Sequence, residues 1–272
     1  MTFLEKDKDH LSEKEAAVYE EICDFKEADQ GVVQWAADAL DTRLESLADS
    51  LEDTRPGELL DTVAGVILEL INDVSIWSVR EKKIWENFED AELEVTALED
   101  LRDFSLEEIE EALGRLRLKY RLAASLQGMS VGSFGLAGAL TGLPTLIAMS
   151  LRAIAEYATY YGFDVTSEPE RPYVLMVLAV AASSGETRTE LLDQVEEYAL
   201  SAEKKGSSQA PMPSTSEVVD HLAVRLVRGK VSQTVPLAGA LLGAGFNQAF
   251  VQHVCETAHQ LLRQRWLIRR YQ

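Results

Sequence analysis

Cysteine and histidine are scarce in this chain of 272 residues, which contains two cysteines and four histidines. Cys23 and Cys255 lie far apart in unrelated segments, so the sequence favours free thiols in a reducing compartment over a disulfide. Residues 1–10 contain no apolar stretch after their charges, so the sequence predicts no secretory signal. We therefore expect a cytoplasmic location.

Catalytic signatures are also lacking. Ser133 follows Gly132 and Ser130 lies two residues after Gly128, but neither is predicted to lie on the strand-to-helix turn that the Gly-x-Ser-x-Gly nucleophile elbow requires. No Gly-x4-Gly-Lys-[Ser/Thr] phosphate loop is present. The sequence therefore offers no catalytic residue and favours a non-enzymatic role.

The nearest approach to a metal site is a group of polar residues close to the C-terminus, where Cys255 and Glu256 lie between two histidines. His253 and His259 are six residues apart and point about 120° away from each other around a helix. A zinc site needs convergent ligands. We therefore predict no metal and no cofactor.

Positive charge is rare in the N-terminal part of the chain. Residues 1–113 carry 33 acidic and 10 basic side chains, whereas residues 114–272 carry 13 and 16. An acidic surface repels nucleic acid and anionic lipid. We predict no nucleic-acid partner, and we expect the acidic part to be a solvated surface or to bind a protein. The C-terminal part is free to approach a surface rich in phosphate.

Strand patterns are absent, and apolar residues recur at the three- and four-residue spacing of helices. Capping-box patterns begin four of the predicted helices, at Ser12–Glu15, Ser105–Glu108, Ser167–Glu170 and Thr187–Glu190. Gly162 follows a predicted helix over 146–161 and suits a left-handed cap. The sequence thus predicts an all-α protein, with an acidic helical extension over residues 1–104 and a helical domain over 105–272. Within that domain, 204–216 is predicted to be a flexible loop.

Two long runs, Leu122–Leu151 and Val231–Gln252, contain no charge but many glycines. Several glycines are spaced four residues apart, which lets helix backbones approach closely: Gly128 and Gly132, Gly138 and Gly142, Gly239 and Gly243. We predict a helical bundle with glycine-mediated close helix packing. Bends are expected at Pro144 and over Gly239–Asn247, with a final helix from about Ala244 to Arg269.

The uncharged runs also raise the question of membrane contact. A spanning helix needs about 20 apolar residues. Pro144 is expected to divide the first run into two pieces of about half that length, which favours a packed core. The alternatives are peripheral or re-entrant contact with a membrane, and a true span.

Basic and aromatic residues near the C-terminus form a further candidate for membrane contact. The side chains concerned are Arg263, Arg265, Trp266, Arg269 and Arg270. Helices that lie on anionic lipid combine these residue types. The alternative is an ordinary basic helix end that is packed by Trp266.

Motifs within the uncharged runs and their flanks resemble the EcsC family of bacterial proteins. The resemblance covers about Leu116 to Trp266 and is carried by Gly142, Pro144, Arg152, Gly162, Asp164, Pro236, Gly239, Gly243, Gly245 and Asn247, with Glu156 and Tyr157 following Arg152. Relatives often have an acidic residue just after the Leu-Pro step, where this chain has Thr145. A role that depends on that acid therefore does not carry over.

The resemblance implies a non-enzymatic accessory or adaptor at the cytoplasmic face of the inner membrane, peripheral to it and linked to an ABC transporter. Its partners would be membrane lipid or a membrane protein, with a second protein on the acidic N-terminal part. One alternative is a small-molecule-binding protein or enzyme with a pocket at the Gly239–Asn247 bend. Another is a structural protein that assembles with itself.

Overall fold

The computed structural model describes residues 10–28, 56–132, 135–167, 170–203, 218–219 and 239–272. Within these segments the regular elements are helices: α1 Glu13–Glu27, α2 Pro56–Asn72, α3 Val74–Trp77, α4 Glu81–Asp90, α5 Leu106–Leu113, α6 Leu116–Gly132, α7 Gly135–Tyr160, α8 Arg171–Ala182, α9 Gly185–Glu203 and α10 Gly239–Tyr271. A 3₁₀ turn, Leu98–Arg102, lies between α4 and α5. The all-α prediction is confirmed.

The helix starts show which local signals were decisive. Ser12 accepts a hydrogen bond from the Glu15 amide, and the Glu15 carboxylate accepts one from the Ser12 amide, so the predicted capping box is formed. The same reciprocal bonds join Ser105 and Glu108 at the start of α5. Both boxes satisfy amides that have no acceptor within the helix.

The core is organised around α10, which contacts α1, α6, α7, α8 and α9. Helix α8 is buried on all sides from Tyr173 to Ala182, as its continuous apolar sequence predicts. Helix α6 turns one side to α10, since Tyr120 and Ala124 are buried, while Leu122 and Leu126 on the other side are exposed. Helix α10 therefore lies at the centre of these contacts, and α6, α7 and α8 pack against it.

The prediction that the chain is divided at Pro144 is wrong. Pro144 lies inside α7, which runs from Gly135 to Tyr160 without ending there. A proline in a helix removes one backbone hydrogen bond, and burial of Leu146, Ile147 and Leu151 just after it holds the helix together. Helix α10 likewise begins at Gly239 and continues through the expected bend.

The end of α7 matches its sequence signal. Gly162 has a φ of +73°, so the left-handed cap is confirmed. Its place is crowded, because a Cβ there would lie 3.3 Å from the Leu101 Cβ and 3.5 Å from the Arg269 Nη2. Glycine is therefore required at this position both by the backbone angle and by the neighbours.

Contacts between α1 and α10 cross the predicted boundary between residues 104 and 105. The Tyr271 hydroxyl donates to the Glu15 carboxylate at 2.6 Å, and Arg263 Nη1 donates to Glu21 at 2.7 Å. The boundary itself stays a prediction, as does glycine-mediated packing. Pro236 and the predicted flexible loop over 204–216 lie outside the described residues.

No helix in the described segments combines the length and the apolar character needed to cross a bilayer.

Candidate functional site

A cleft of about 680 Å³ opens between α4, the turn from α5 to α6, and α7. Its wall brings together residues that are far apart in the sequence, including Asn87 of α4, Tyr120 of α6 and Arg152 of α7. Volumes of this size are typical of small-molecule pockets. The cleft is therefore the first place to look for a site.

Two residues of the family-like motif, Arg152 and Glu156, lie on this wall. They are four residues apart and so share one face of α7. Glu156 is buried and accepts a hydrogen bond from Lys119 Nζ at 2.6 Å. Arg152 Nη2 donates to the Ser78 carbonyl at 2.9 Å. The motif thus places one neutralised carboxylate and one guanidinium in the cleft.

Tyr120 is a polar residue of this wall whose side chain is almost completely buried. Its side chain is 5% exposed, and its hydroxyl lies against the buried carboxylate of Glu156, to which it donates. Burial raises the pKa of Tyr120 well above its ordinary value, and the charge of Glu156 and the hydrogen bond to it raise this pKa further. The hydroxyl therefore carries its proton at neutral pH.

Tyr160 provides a contrast on the same wall. Asn87 Nδ2 donates to the Tyr160 hydroxyl, so this buried group has a partner. Burial also raises the pKa of Tyr160. The two tyrosines therefore differ in the neighbour of the hydroxyl, which is the carboxylate of Glu156 for Tyr120 and the amide of Asn87 for Tyr160.

The charge of the cleft is opposite to that of the whole chain, whose net charge is −20. Its charged side chains are the basic residues Arg80, Lys83, Arg115, Lys119 and Arg152 and the acidic residues Asp90, Glu111 and Glu156. The N-terminal end of α6 adds to this positive character, because Gly114, Arg115 and Leu116 border the cleft. Such a wall attracts anions.

The outer face of α6 continues from the edge of this cleft. Arg115, Lys119, Leu122 and Leu126 are spaced so that they follow one line along the helix. Leu122 is 55% and Leu126 is 70% exposed, so two large apolar side chains face outward one turn apart on α6. We call these four residues the α6 edge.

The C-terminal residues proposed for membrane contact are placed differently from the expectation. Arg263, Arg265 and Trp266 are buried, so in this conformation they do not meet a lipid surface. Arg263 pairs with Glu21 and Glu110, and Arg265 pairs with Glu170 and Glu203. The alternative of a packed helix end describes these three residues.

The other two basic residues, Arg269 and Arg270, differ in exposure and in their contacts. Arg269 donates to the Tyr161 carbonyl at 2.6 Å and to the Gly162 carbonyl at 3.1 Å, so it caps the end of α7. Burial lowers its pKa to about 10. Arg270 is exposed and lies 3.8 Å from Glu15. Of the five candidates, Arg270 is thus the one whose side chain is open to a partner.

The remaining family-like positions have structural surroundings. Asp164 accepts hydrogen bonds from the amide and the hydroxyl of Thr166 at 3.0 and 2.5 Å, which closes the turn after Gly162. Gly142 and Asn247 are buried within α7 and α10. Gly239, Gly243 and Gly245 lie in the first turns of α10, where the backbone is helical.

The polar cluster of α10 does not gather into a metal site in the described residues. Glu256 pairs with Arg117, and His259 faces Glu110 at 3.5 Å. Burial lowers the pKa of His253 to about 4 and raises the pKa of Cys255 to about 12. Both side chains are thus uncharged at neutral pH.

A comparison with protein families matches most of this chain. The model of the EcsC protein family matches residues 19–267. The chain belongs to the EcsC protein family. The EcsC match includes most of α1, so it also extends into the segment predicted to be an N-terminal extension.

Two EcsC relatives come from Bacillus subtilis (strain 168). The chain is 27% identical over 179 residues to uncharacterized protein YdbA, which is 64% of this chain and 64% of YdbA. It is 27% identical over 173 residues to protein EcsC, which is 64% of this chain and 70% of that protein. The chain thus spans less than two thirds of YdbA. A comparison with solved structures gives no significant match.

Sequence reasoning found Arg152 but missed the cleft around it. Tyr120 and Lys119 lie in α6, 32 and 33 residues before Arg152, and Asn87 lies in α4. No local pattern links these residues, because the helix packing alone brings them together. The sequence signal that pointed to the cleft was the series of basic residues that starts at Arg115, between α5 and α6.

Proposed function

We propose that this EcsC-family chain is a non-enzymatic accessory protein that acts at the cytoplasmic face of a membrane, linked to an ABC transporter. The observation that carries the proposal is the α6 edge, where two basic residues are followed by the exposed Leu122 and Leu126. Helices that lie on anionic lipid have this composition. The proposal thus moves membrane contact from the C-terminal residues to α6.

The strength of such contact is limited. Complete burial of two leucines is worth roughly 3–6 kcal/mol. Arg115 near an anionic surface adds about 1 kcal/mol, whereas the charge of Lys119 is neutralised by Glu156. Both leucines are already partly covered, so these values are upper bounds. Binding would be reversible and would weaken as salt is added. The chain would therefore act as a peripheral protein.

Sedimentation with liposomes tests the proposal. The intact chain should sediment with vesicles that contain phosphatidylglycerol, and less with vesicles of phosphatidylcholine alone. The double variant Leu122→Gln/Leu126→Gln should lose at least tenfold in affinity, about 1.4 kcal/mol. Leu68→Gln is the matched control, because Leu68 is also an exposed leucine, 41% exposed, but lies on α2.

Two outcomes would count against membrane contact through α6. One is that the intact chain does not sediment with anionic vesicles. The other is that the double variant and the Leu68→Gln control bind equally well. Circular dichroism of both variants should match the parent, because the substituted side chains are exposed.

The proposal includes an ABC transporter as a partner of this chain. A photo-crosslinking amino acid in place of Leu126 should form a product with a transporter subunit in cells, identified by mass spectrometry. Crosslinks to lipid alone would contradict the transporter link but would still support membrane contact. The acidic N-terminal part would bind a second protein, and its charge supports a basic surface on that protein.

A second candidate, a small-molecule-binding protein, is supported by the cleft at Arg152 and Tyr120 rather than by the Gly239–Asn247 segment. That segment is helical backbone of α10, whereas the cleft has convergent polar groups.

A further inference from the structure

We propose that one end of the helical bundle inserts into a single leaflet of an anionic lipid membrane. This end is formed by the parts of α6, α7 and α10 that contain no charged residue, namely 122–132, 135–151 and 239–252. We call it the charge-free end. The inference rests on the membrane contact proposed for the α6 edge, and it adds two helices and a depth to that contact.

The charge-free parts of α6 and α10 lie side by side, although they are far apart in the sequence. Ser125 of α6 donates to Gln248 of α10 at 2.7 Å. Eight residues earlier in α6, Arg117 pairs with Glu256, which lies eight residues later in α10. The two helices are therefore antiparallel, so the last turns of α6 lie beside the first turns of α10.

Helix α7 contributes to the same end of the bundle. It begins at Gly135, three residues after α6 ends at Gly132. Away from this connection, Lys119 of α6 pairs with Glu156 of α7 at 2.6 Å, so these two helices are antiparallel as well. Helix α7 also contacts α10. Three charge-free segments from two distant parts of the sequence thus come together at one end of the bundle.

Basic residues lie where the charge-free end joins the rest of the bundle. Arg121 directly precedes the charge-free part of α6, and Arg152 directly follows that of α7. The first acidic residues beyond this end on α7 and α10, Glu156 and Glu256, are both paired with basic side chains. A basic border followed by an uncharged segment matches the order of an anionic membrane, in which negative headgroups cover the hydrocarbon. This complementarity identifies lipid as the partner.

The described side chains of the charge-free end are compatible with hydrocarbon. Leu122 and Leu126 are exposed on the outer side of α6, and transfer of exposed apolar side chains out of water is favourable. Two hydroxyl groups already have partners, because Ser125 bonds to α10 and Ser150 donates to the Leu146 carbonyl at 2.8 Å. Polar groups that are satisfied within the protein need no water when they enter a bilayer.

The length of the charge-free part of α6 limits the depth of insertion. It extends from Leu122 to Gly132, and these eleven residues span about 16 Å at a rise of 1.5 Å per residue. The hydrocarbon core of a bilayer is about 30 Å thick. The end of α6 therefore reaches the middle of the bilayer at most, so the insertion is confined to one leaflet.

Fluorescence quenching in vesicles of phosphatidylglycerol measures this depth on the full chain. A polarity-sensitive dye is attached to a cysteine that replaces Leu126 or Ala240, in a chain that carries Cys23→Ala and retains the buried Cys255. Lipids with a spin label in the middle of the acyl chain should quench both dyes about twofold more than lipids with the label at the headgroup. A dye at Arg270, near the other end of α10, is the matched control and should respond to neither.

A pair of variants at the end of α6 tests insertion through its effect on affinity. Gly132→Arg and Gly132→Gln place long side chains at the same position and differ in charge. Insertion predicts that Gly132→Arg binds anionic vesicles at least about tenfold more weakly than Gly132→Gln, because a guanidinium is costly in hydrocarbon. Contact at the surface predicts the opposite order, because anionic lipid attracts the added charge. Circular dichroism should show equal helix content in the two variants.

The inference is overturned if the dye at Leu126 is quenched and the dye at Ala240 is not, or if the headgroup label is the stronger quencher of both. It is also overturned if Gly132→Arg binds at least as tightly as Gly132→Gln. In each of these cases the membrane contact of the α6 edge stands. If the intact chain does not bind anionic vesicles, the proposed membrane contact and the inference both fail.

Discussion

Arg265 and Glu170 form a bidentate ion pair inside the bundle, with Nη1 and Nη2 donating to the two carboxylate oxygens at 2.5 and 2.8 Å. The pair joins α10 to the residue just before α8, and Glu203 at the end of α9 accepts from Nε at 3.0 Å. Arg265 also stacks on Phe163 and Tyr173, with its guanidinium carbon 4.3 and 4.6 Å from the ring centres. One buried side chain thus connects three helices.

Replacement of Arg265 by Met should strongly destabilise the fold. Burial opposes the charge of Arg265, but the bonds to Glu170 more than offset this and raise its pKa. Without the guanidinium, two largely buried carboxylates lose their counter-charge, and such losses cost about 3–5 kcal/mol. Urea unfolding followed by circular dichroism measures this. Arg270→Met, at an exposed position, should cost less than about 0.5 kcal/mol.

A loss below about 1 kcal/mol in Arg265→Met would mean that the ion pair is not what fixes α8 and α9 to α10.

Gly162→Ala should lower the free energy of unfolding by about 1–2 kcal/mol, because the residue needs φ near +73° and a Cβ would crowd Leu101. Gly65→Ala is the matched control. Gly65 lies within α2, and nothing lies within 4 Å of its would-be Cβ. That change should stabilise the chain by about 0.5–1 kcal/mol. Thermal unfolding would contradict the cap argument if both variants moved in the same direction.

Acid should destabilise the chain in part through His253. Burial, and then the positive charge of Arg188, lowers the pKa of this histidine from 6.5 to about 4, while the Glu256 charge opposes the shift. The unfolded state therefore takes up the proton first, so stability is complete above pH 6.5 and falls as the pH drops towards 4. The contribution lost between pH 7 and pH 4 is up to about 3 kcal/mol.

Urea unfolding at several pH values checks this for the parent and for His253→Leu. The variant should lose less stability between pH 6.5 and pH 4 than the parent. His10→Leu is the control, since His10 is exposed, and should follow the parent curve. Parallel curves for the parent and His253→Leu would show that other groups carry the acid sensitivity.

Arg188 should hold the end of α1 against α9. Its guanidinium donates to the carbonyls of Phe25 at 2.9 Å, Lys26 at 3.2 Å and Ala28 at 3.4 Å. These carbonyls are at the helix end, where positive charge is favourable. Arg188→Leu should therefore increase hydrogen exchange of α1 more than that of α8. Equal increases in both helices would indicate global destabilisation instead.

Local signals predicted the helices well, and long-range contacts explain the errors. Ser12 and Ser105 begin helices because the capping box is complete within four residues. Thr187 was expected to begin a helix, but α9 already starts at Gly185. Pro144 failed as a breaker because burial of the following residues outweighs one lost hydrogen bond.

The candidate site was harder to predict from the sequence than the helices were. Arg152 could be chosen because of the family-like motif, but its neighbour Tyr120 had no signal, since its burial against Glu156 is a property of helix packing. Arg263 and Arg265 were taken for surface residues because arginines are mostly exposed. Their acidic partners lie up to 242 residues away in the chain, so no sequence window contains both members of these pairs.

The contact between α1 and α10 has a consequence for how the chain is made. Glu15 leaves the ribosome 256 residues before Tyr271, the side chain that it binds. Until α10 has been synthesised, Tyr19, Ile22 and Phe25 of α1 lack the surface that buries them. Long intervals of this kind slow folding and expose apolar side chains to other proteins. The nascent chain is therefore expected to need a chaperone until its last helix is complete.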